Sequence, residues 1–307
     1  GLGCEINQLD GMVADLGLIP GEMLHTMTIQ GEGGTNATVR RGIECIEAML
    51  PAANNVKRET VPASHIILGM ECGGSDAFSG VTANPALGAA ADLLVRHGGT
   101  AILGETPEIY GAEHLLIRRA ESEAVGRKLL ERIAWWEDYT KMNGAVVDNN
   151  PSPGNKAGGL TTILEKSLGA AAKGGTSNLV AVYRYAETVE SKGFVFMDTP
   201  GYDPVSITGM VAGGANVVCF TTGRGSVFGC KPTPSLKLAT NSTMFEHMHE
   251  DMDINCGRIV DGEADIEGLG REIFELILNT ASGAPSKSEA FGFGDEEFVP
   301  WQIGAVL

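Results

Sequence analysis

A thiol, a set of carboxylates and a few amines are the groups in this sequence that could do chemistry together. Cys72 and Asp76 stand in a glycine-rich turn, Glu71-Cys72-Gly73-Gly74-Ser75-Asp76, directly after the apolar run Ile66–Met70. A turn of that kind can offer a thiolate or carboxylate to a metal ion, or a reactive group at a sheet edge. Cys4 follows another strand-like end (Leu2-Gly3-Cys4-Glu5) and takes the same reading. The ordinary alternative is a small buried cysteine packing under a turn, and Cys45 and Cys219 read that way. Glu105 and Glu108 follow the apolar run Thr100–Leu103 on the first turn of a helix. A carboxylate there either complements the helix dipole or acts as general acid, general base or metal ligand. Asp198 and Asp203 also follow a strand, one expected as a helix cap and the other free for a metal or a hydroxyl.

The basic residues are fewer. Asn155-Lys156 and Glu165-Lys166 bracket a loop-to-helix segment. A lysine that titrates near neutrality needs burial or a neighbouring charge, and a solvated lysine is the plain alternative. Thr222-Gly-Arg224-Gly-Ser226 offers backbone N–H groups, a guanidinium and hydroxyls for a carboxylate, or it is a simple turn. His247 and His249 lie two apart on a helix and cannot share a metal, and His114 reads as a packing or surface residue. There is no GxSxG, phosphate-binding loop, HExxH or complete dinucleotide motif, and Gly31-Glu-Gly33-Gly-Thr-Asn36 is a weak partial match.

These groups need a scaffold that brings strand ends and helix starts to one edge. Asn84-Pro85, Thr106-Pro107 and Asp203-Pro204 each follow a strand-like run and read as helix openings, with proline where a missing N–H costs little. Further strands are expected at Phe194–Met197, Asn216–Thr221 and Leu236–Ala239, and Leu179–Tyr185 reads as a strand or as the continuation of a helix, with helices at Glu121–Asn143, Leu160–Lys173 and from Ile266 to Ile277. The expected fold is therefore α/β, Rossmann-like, with mostly parallel sheet layers flanked by helices. In such a sheet ligands bind at the carboxyl edge of the strands. Residues 1–60 read as strand end, helix (Leu9–Leu16), strand (His25–Gln30) and helix (Asn36–Leu50), with a connector at Pro51–Pro62. The Asn/Pro/Gly-rich stretch Val147–Leu160 has the composition of a functional loop, and the tail after Ser282 reads as loop.

The bulk composition narrows the function. The 307 residues carry 39 acidic and 22 basic side chains, a net −17, which argues against nucleic-acid or anionic-membrane partners. Six scattered cysteines without CxxC spacing suit reduced thiols and a cytoplasmic setting. No apolar run approaches the roughly 18 residues of a membrane span. The chain opens without methionine at what reads as a strand end, so it is expected to be a fragment.

Six stretches carry a resemblance: GLGCEINQ, ECGGSDAFSGVTANPALG, ETPEIYGAEHLL, NPSPGNKAGGLTTILEKSLG, DTPGYDP and TTGRGS. In this order and over most of the chain, they resemble the altronate/galactarate dehydratase family. That resemblance implies a hydro-lyase removing water from a sugar acid to give a 2-keto-3-deoxy acid. Ferrous iron is the implied cofactor, with another divalent metal as the alternative. It also implies a small-molecule sugar-acid substrate, a homo-oligomer, and an N-terminal β-rich domain not present in this sequence. Residues 1–60 would then end a middle domain and residues 61–307 form the C-terminal catalytic domain. The metal would lie near Cys72 and Cys4, with Glu105 or Asp198 completing its sphere. Lys156 or Lys166 would act as base or carboxylate clamp, with Glu105, Glu108 and Asp76 in acid–base work. Asn155, Thr222, Arg224 and Ser226 would contact the sugar acid, Arg224 and Ser226 at its distal end. Related members act on sulfolactate, so a sulfolactate-type lyase is one alternative. An iron–sulfur dehydratase, with a cluster on three of Cys4, Cys72, Cys219, Cys230 and Cys256, is another. A sugar-acid-binding paralogue without turnover is the alternative from outside catalysis.

Overall fold

The computed structural model describes residues 3–4, 8–147, 151–305 and 307. The expected strand end at Leu2-Gly3-Cys4-Glu5 lies largely outside them, as do Asp148, Asn149 and Asn150 of the Val147–Leu160 loop. The chain separates into two compact units, Gly1–Thr60 and Val61–Leu307.

In the first unit, helix α1 (Leu9–Asp15) and helix α2 (Thr35–Ala53) are formed, and Cys45 on α2 is buried. The strand expected at His25–Gln30 is absent. Alternation alone does not make a strand, and this unit has no second strand among its described residues to accept its hydrogen bonds.

The second unit is built on seven strands: β1 (Ile67–Cys72), β2 (Thr100–Leu103), β3 (Leu179–Tyr183), β4 (Gly193–Met197), β5 (Val217–Thr222), β6 (Ser235–Ala239) and β7 (Ile254–Asn255). Their order is β3-β4-β2-β1-β5-β6-β7. Every pairing is parallel, so the sheet is wholly and not mostly parallel. Parallel sheets are covered on both faces, which accounts for the continuous burial of β2, β4, β5 and β6. The covering helices are α3 (Ala83–Arg96), α4 (Glu113–Ile117), α5 (Glu123–Met142), α6 (Pro153–Ala157), α7 (Ile163–Ala172), α8 (Asp203–Ala212), α9 (Ser242–His247), α10 (Ile266–Ala281) and α11 (Lys287–Phe291).

Alternation along β1 divides the core. Leu68 and Met70 point into the larger cluster with Leu87 and Leu94 of α3 and Ile273 and Ile277 of α10. Ile67 packs against the second cluster, with Ile207 and Met210 of α8. By the same period of two, Glu71 and Cys72 leave the strand on opposite faces. Register places Met70 beside Leu103 of β2 and Cys72 beside Thr221 of β5, which brings the carboxyl ends of these strands to one edge.

Three helix openings differ from expectation at the residue level, and at one of them Tyr202, not Asp203, is the N-cap of α8. Helix α3 is capped at Thr82, and Asn84 lies inside it. The buried Asn84 amide instead donates to Gly169 O (3.0 Å) and accepts from Thr221 Oγ1 (2.7 Å), tying α3 to α7 and β5. Thr106-Pro107 opens a single 3-10 turn, Thr106–Ile109, and the α-helix begins only at Glu113. The tail is not all loop, because Ser286 and Glu289 form a capping box that starts α11.

Candidate active site

Glu105 is the hub of the edge. It is fully buried and holds a left-handed backbone, φ 63°, a conformation that costs a non-glycine residue of order 1–3 kcal/mol. Its N–H donates to Thr199 Oγ1 (2.6 Å), and its Oε2 accepts from Cys72 N (3.2 Å) and Lys173 Nζ (2.6 Å). This turn carries the carboxylate back over the end of β1. Cys72 Sγ then lies 3.5 Å from Glu105 Oε2 and donates to Glu108 Oε2 at 3.1 Å. Lys166 of α7 completes the group with Nζ 2.5 Å from Glu108 Oε1 and 3.4 Å from Asn155 Oδ1.

Two buried ion pairs therefore flank one buried thiol. Lys166 and Lys173 are seven residues apart, which puts both on one stripe running from the first turn of α7 to its C-cap. Burial acts to lower both ammonium pKa values, but the surrounding anions outweigh it. Lys166 is raised by Glu108 and Cys72, and Lys173 is raised well above its usual range by Cys72 and Glu105. For Glu108, burial is likewise overcome, here by Lys166 and Lys173, and its carboxyl sits below the usual range. The Cys72 thiol is pushed well up by burial and then by Glu105 and Glu108.

The cluster fits a divalent cation. Ligand atoms of Cys72, Glu105 and Glu108 lie within 4.8 Å of one another, and so do those of Glu71, Glu105 and Asp203. Four carboxyl groups thus meet two ammonium groups, an excess of negative charge in a buried place. Glu71 Oε1 and Glu105 Oε1 are buried with no hydrogen-bond partner. Acceptor-only oxygens left in that state are expensive, and a cation or a proton satisfies them. Among the described residues, neither group holds more than one cysteine.

The other candidate residues sort by what they touch. Asn155 is buried; its Nδ2 donates to Ser75 O (3.0 Å), locking the Asn/Pro/Gly-rich loop onto the turn after β1. Asp76 spends its carboxylate on the loops. Oδ1 accepts from Phe78 N, Ser79 N, Ser79 Oγ and Thr240 Oγ1, and Oδ2 accepts from Asn241 Nδ2. Asp198 is similarly engaged, accepting from Thr106 Oγ1 (2.6 Å) and Trp136 Nε1 (2.8 Å), with Arg132 at 3.9 Å. It holds the residue after Glu105 and does not belong to either of the two metal-type groups. Lys156 is exposed, whereas Lys166 is buried. Thr222 Oγ1 accepts from Gly225 N (3.1 Å) and Ser226 Oγ accepts from Phe228 N (3.1 Å), so these two hydroxyls shape the turn. Arg224 is exposed and passes so close to Gly154 that a Cβ there would lie 2.2 Å from its Nη1. Cys4 belongs to the other unit, where it is exposed. His114 is exposed as well.

Lys173, Glu71 and the paired use of Asp203 were not singled out by sequence reasoning. Lys173 precedes Gly174-Gly175 and looks like an ordinary helix-end lysine; its spacing of seven from Lys166 is the signal that marks it.

Residues 63–306 match the family model for D-galactarate/altronate dehydratase, C-terminal, and residues 1–54 match that for D-galactarate dehydratase/altronate hydrolase, second domain. The chain is 43% identical over 288 residues to galactarate dehydratase (L-threo-forming) of Escherichia coli K12, covering 92% of this chain and 55% of that one. It is 37% identical over 310 residues to altronate dehydratase of Bacillus subtilis 168, covering 100% of this chain and 61% of that one. To (2R)-sulfolactate sulfo-lyase subunit beta of Chromohalobacter salexigens it is 32% identical over 272 residues, 87% of this chain and 69% of that one. The chain thus spans 55–61% of the length of these two dehydratases. No helix among the described residues is long and apolar enough to cross a membrane.

Proposed function

We propose that this chain, which belongs to the D-galactarate/altronate dehydratase family, carries the acid–base centre of a sugar-acid hydro-lyase. The proposed reaction removes water from an aldonate or aldarate such as altronate or galactarate, to give a 2-keto-3-deoxy acid. The proposed setting is a cytoplasmic homo-oligomer. The observation that carries this reading is the Lys166–Glu108 and Lys173–Glu105 pairs enclosing Cys72 at the carboxyl edge of the sheet.

Dehydration of a 2,3-dihydroxy acid needs a base for the proton beside the carboxylate and an acid for the departing hydroxyl. Glu108 is held ionised by Lys166 and is the proposed base. Lys166, held as an ammonium, is the proposed acid. The C2 proton passes to Glu108 while the C2–H electron pair forms the C2–C3 double bond. The C3–O bond breaks as Lys166 protonates the oxygen, and water leaves. Glu108 then returns its proton to Lys166 across their 2.5 Å hydrogen bond, and the enol becomes the 2-keto-3-deoxy acid. A divalent cation, with ferrous iron the proposed identity, would be held by Cys72, Glu105 and Glu108 and would stabilise charge developing on the substrate oxygens. Lys173 holds Glu105 in place. Asp198, Asp76 and Asn155 position the loops, and Arg224 at the open side is suited to the distal end of the acid.

The test is product formation from a panel of aldonates and aldarates by the full-length protein, reduced and loaded with ferrous iron. A 2-keto-3-deoxy acid from altronate or galactarate supports the reading. Sulfite release from sulfolactate in the same panel would move it to the sulfo-lyase branch. Tight binding of a sugar acid without product would replace it with a non-catalytic paralogue. A brown, cluster-type absorption spectrum would favour the iron–sulfur alternative.

A further inference from the structure

We propose that Glu71, Glu105 and Asp203 form a second divalent-cation site, built of oxygen alone and sharing only Glu105 with the thiol-bearing group. The use of this ion in catalysis rests on the dehydratase reading; the site itself rests on geometry.

The carboxylates are fixed by a chain of hydroxyls. Glu105 N–H donates to Thr199 Oγ1 (2.6 Å), Thr199 and Ser206 hydroxyls are 2.8 Å apart, and Ser206 Oγ donates to Glu71 Oε2 (2.7 Å). Because the single Ser206 proton goes to Glu71, the Thr199 hydroxyl must donate to Ser206. Every hydroxyl proton in the chain is then committed, and none reaches Glu71 Oε1 or Glu105 Oε1. These two oxygens, on fully buried side chains, have no hydrogen-bond partner. Lys173 does not relieve them, since its Nζ bonds the other oxygen of Glu105.

Two buried carboxylates in such a position need a positive charge between them, either one shared proton or a cation. Two features favour the cation. Asp203 supplies a third oxygen ligand from the start of α8 and is itself partly open to solvent, which gives an ion a way in. Gly73 makes room for the Asp203 carboxylate in the group, because a Cβ there would lie 2.1 Å from Asp203 Oδ2.

The all-oxygen set is hard and suits Mg²⁺ or Mn²⁺ better than a thiolate-seeking ion. Glu71 and Cys72 also leave β1 on opposite faces, so each belongs to a different group.

Mn²⁺ is the probe. The full chain and its Glu71→Gln, Asp203→Asn and Cys72→Ser variants are titrated with Mn²⁺, followed by electron paramagnetic resonance of the free ion and by calorimetry. The expected result is one fewer Mn²⁺ per chain in Glu71→Gln and Asp203→Asn, or binding weakened by more than about tenfold at one site. Cys72→Ser retains that ion. Unchanged Mn²⁺ number and affinity in the amide variants would overturn the proposal and leave the shared proton. Loss of the same single ion in Cys72→Ser would overturn it in favour of one mixed site. The two amide variants lie on different elements, so if circular dichroism shows one unfolded, the other decides. No turnover enters the measurement: a chain that binds this ion and dehydrates nothing keeps the site and loses the dehydratase reading.

Discussion

Lys173 Nζ sits 2.6 Å from Glu105 Oε2 with both side chains sealed from solvent. A lysine at the end of α7 and a carboxylate in a left-handed turn after β2 are thereby one structural unit, and neither charge has water to fall back on. Removing one partner strands the other. Lys173→Met is expected to lower unfolding free energy by about 3–5 kcal/mol, measured by urea denaturation. Adding Glu105→Gln to that variant should recover part of the loss; no recovery would show that the two residues are not coupled.

The Lys166–Glu108 pair answers to kinetics. Lys166→Ala and Glu108→Gln are each expected to lower kcat by about 10²–10⁴-fold with the fold intact by circular dichroism. If the pair acts as one acid–base unit, the double variant should lose little more than either single one. Multiplicative losses would mean that the two groups act separately.

Gly88 on α3 is where two helices touch backbone to backbone. A Cβ there would lie 2.3 Å from Ala172 O and 2.9 Å from Gly175 N, on either side of Lys173. Gly88→Ala should therefore destabilise by about 1–3 kcal/mol and also move Lys173 away from Glu105. Thermal melting and turnover of the same sample check both effects, and normal activity in the destabilised variant would refute the linkage.

Asp92 gives a pH signature away from the site. Burial would raise its carboxyl, but N–H and O–H donors from Ser177 and Thr176 overcome that and hold it below the usual range. A carboxylate lowered by folding adds stability above its unfolded pKa of about 3.9 and loses it as pH falls through the folded value. Asp92→Asn is thus expected to cost about 1.5–3 kcal/mol at pH 7, with the gap to the parent chain closing as the pH approaches 2. A gap that stays constant in acid would show that Asp92 is not ionised in the folded chain.

Local pattern determined much of the scaffold. The apolar runs ending at Met70, Leu103, Met197 and Thr221 are parallel strands, and the helix from Ile266 begins where its sequence indicates. Short-range forces are enough there, since a strand between covered faces and a helix with one apolar stripe are both written in the spacing of side chains. The polar turns were legible for the same reason: parallel strands deliver their carboxyl ends to one edge. Long-range contact decided the rest. His25–Gln30 alternates like a strand but has no partner in its unit, and Asn84 leaves its cap position to bond Gly169 and Thr221. Likewise Asp198, two residues from a Pro-Gly turn, is drawn to Thr106 and Trp136, more than sixty positions away. Lys173 and Glu71 acquired their significance only when the sheet buried them. A carboxylate or ammonium in water is ordinary, and only exclusion from water makes its partner, or the lack of one, decisive.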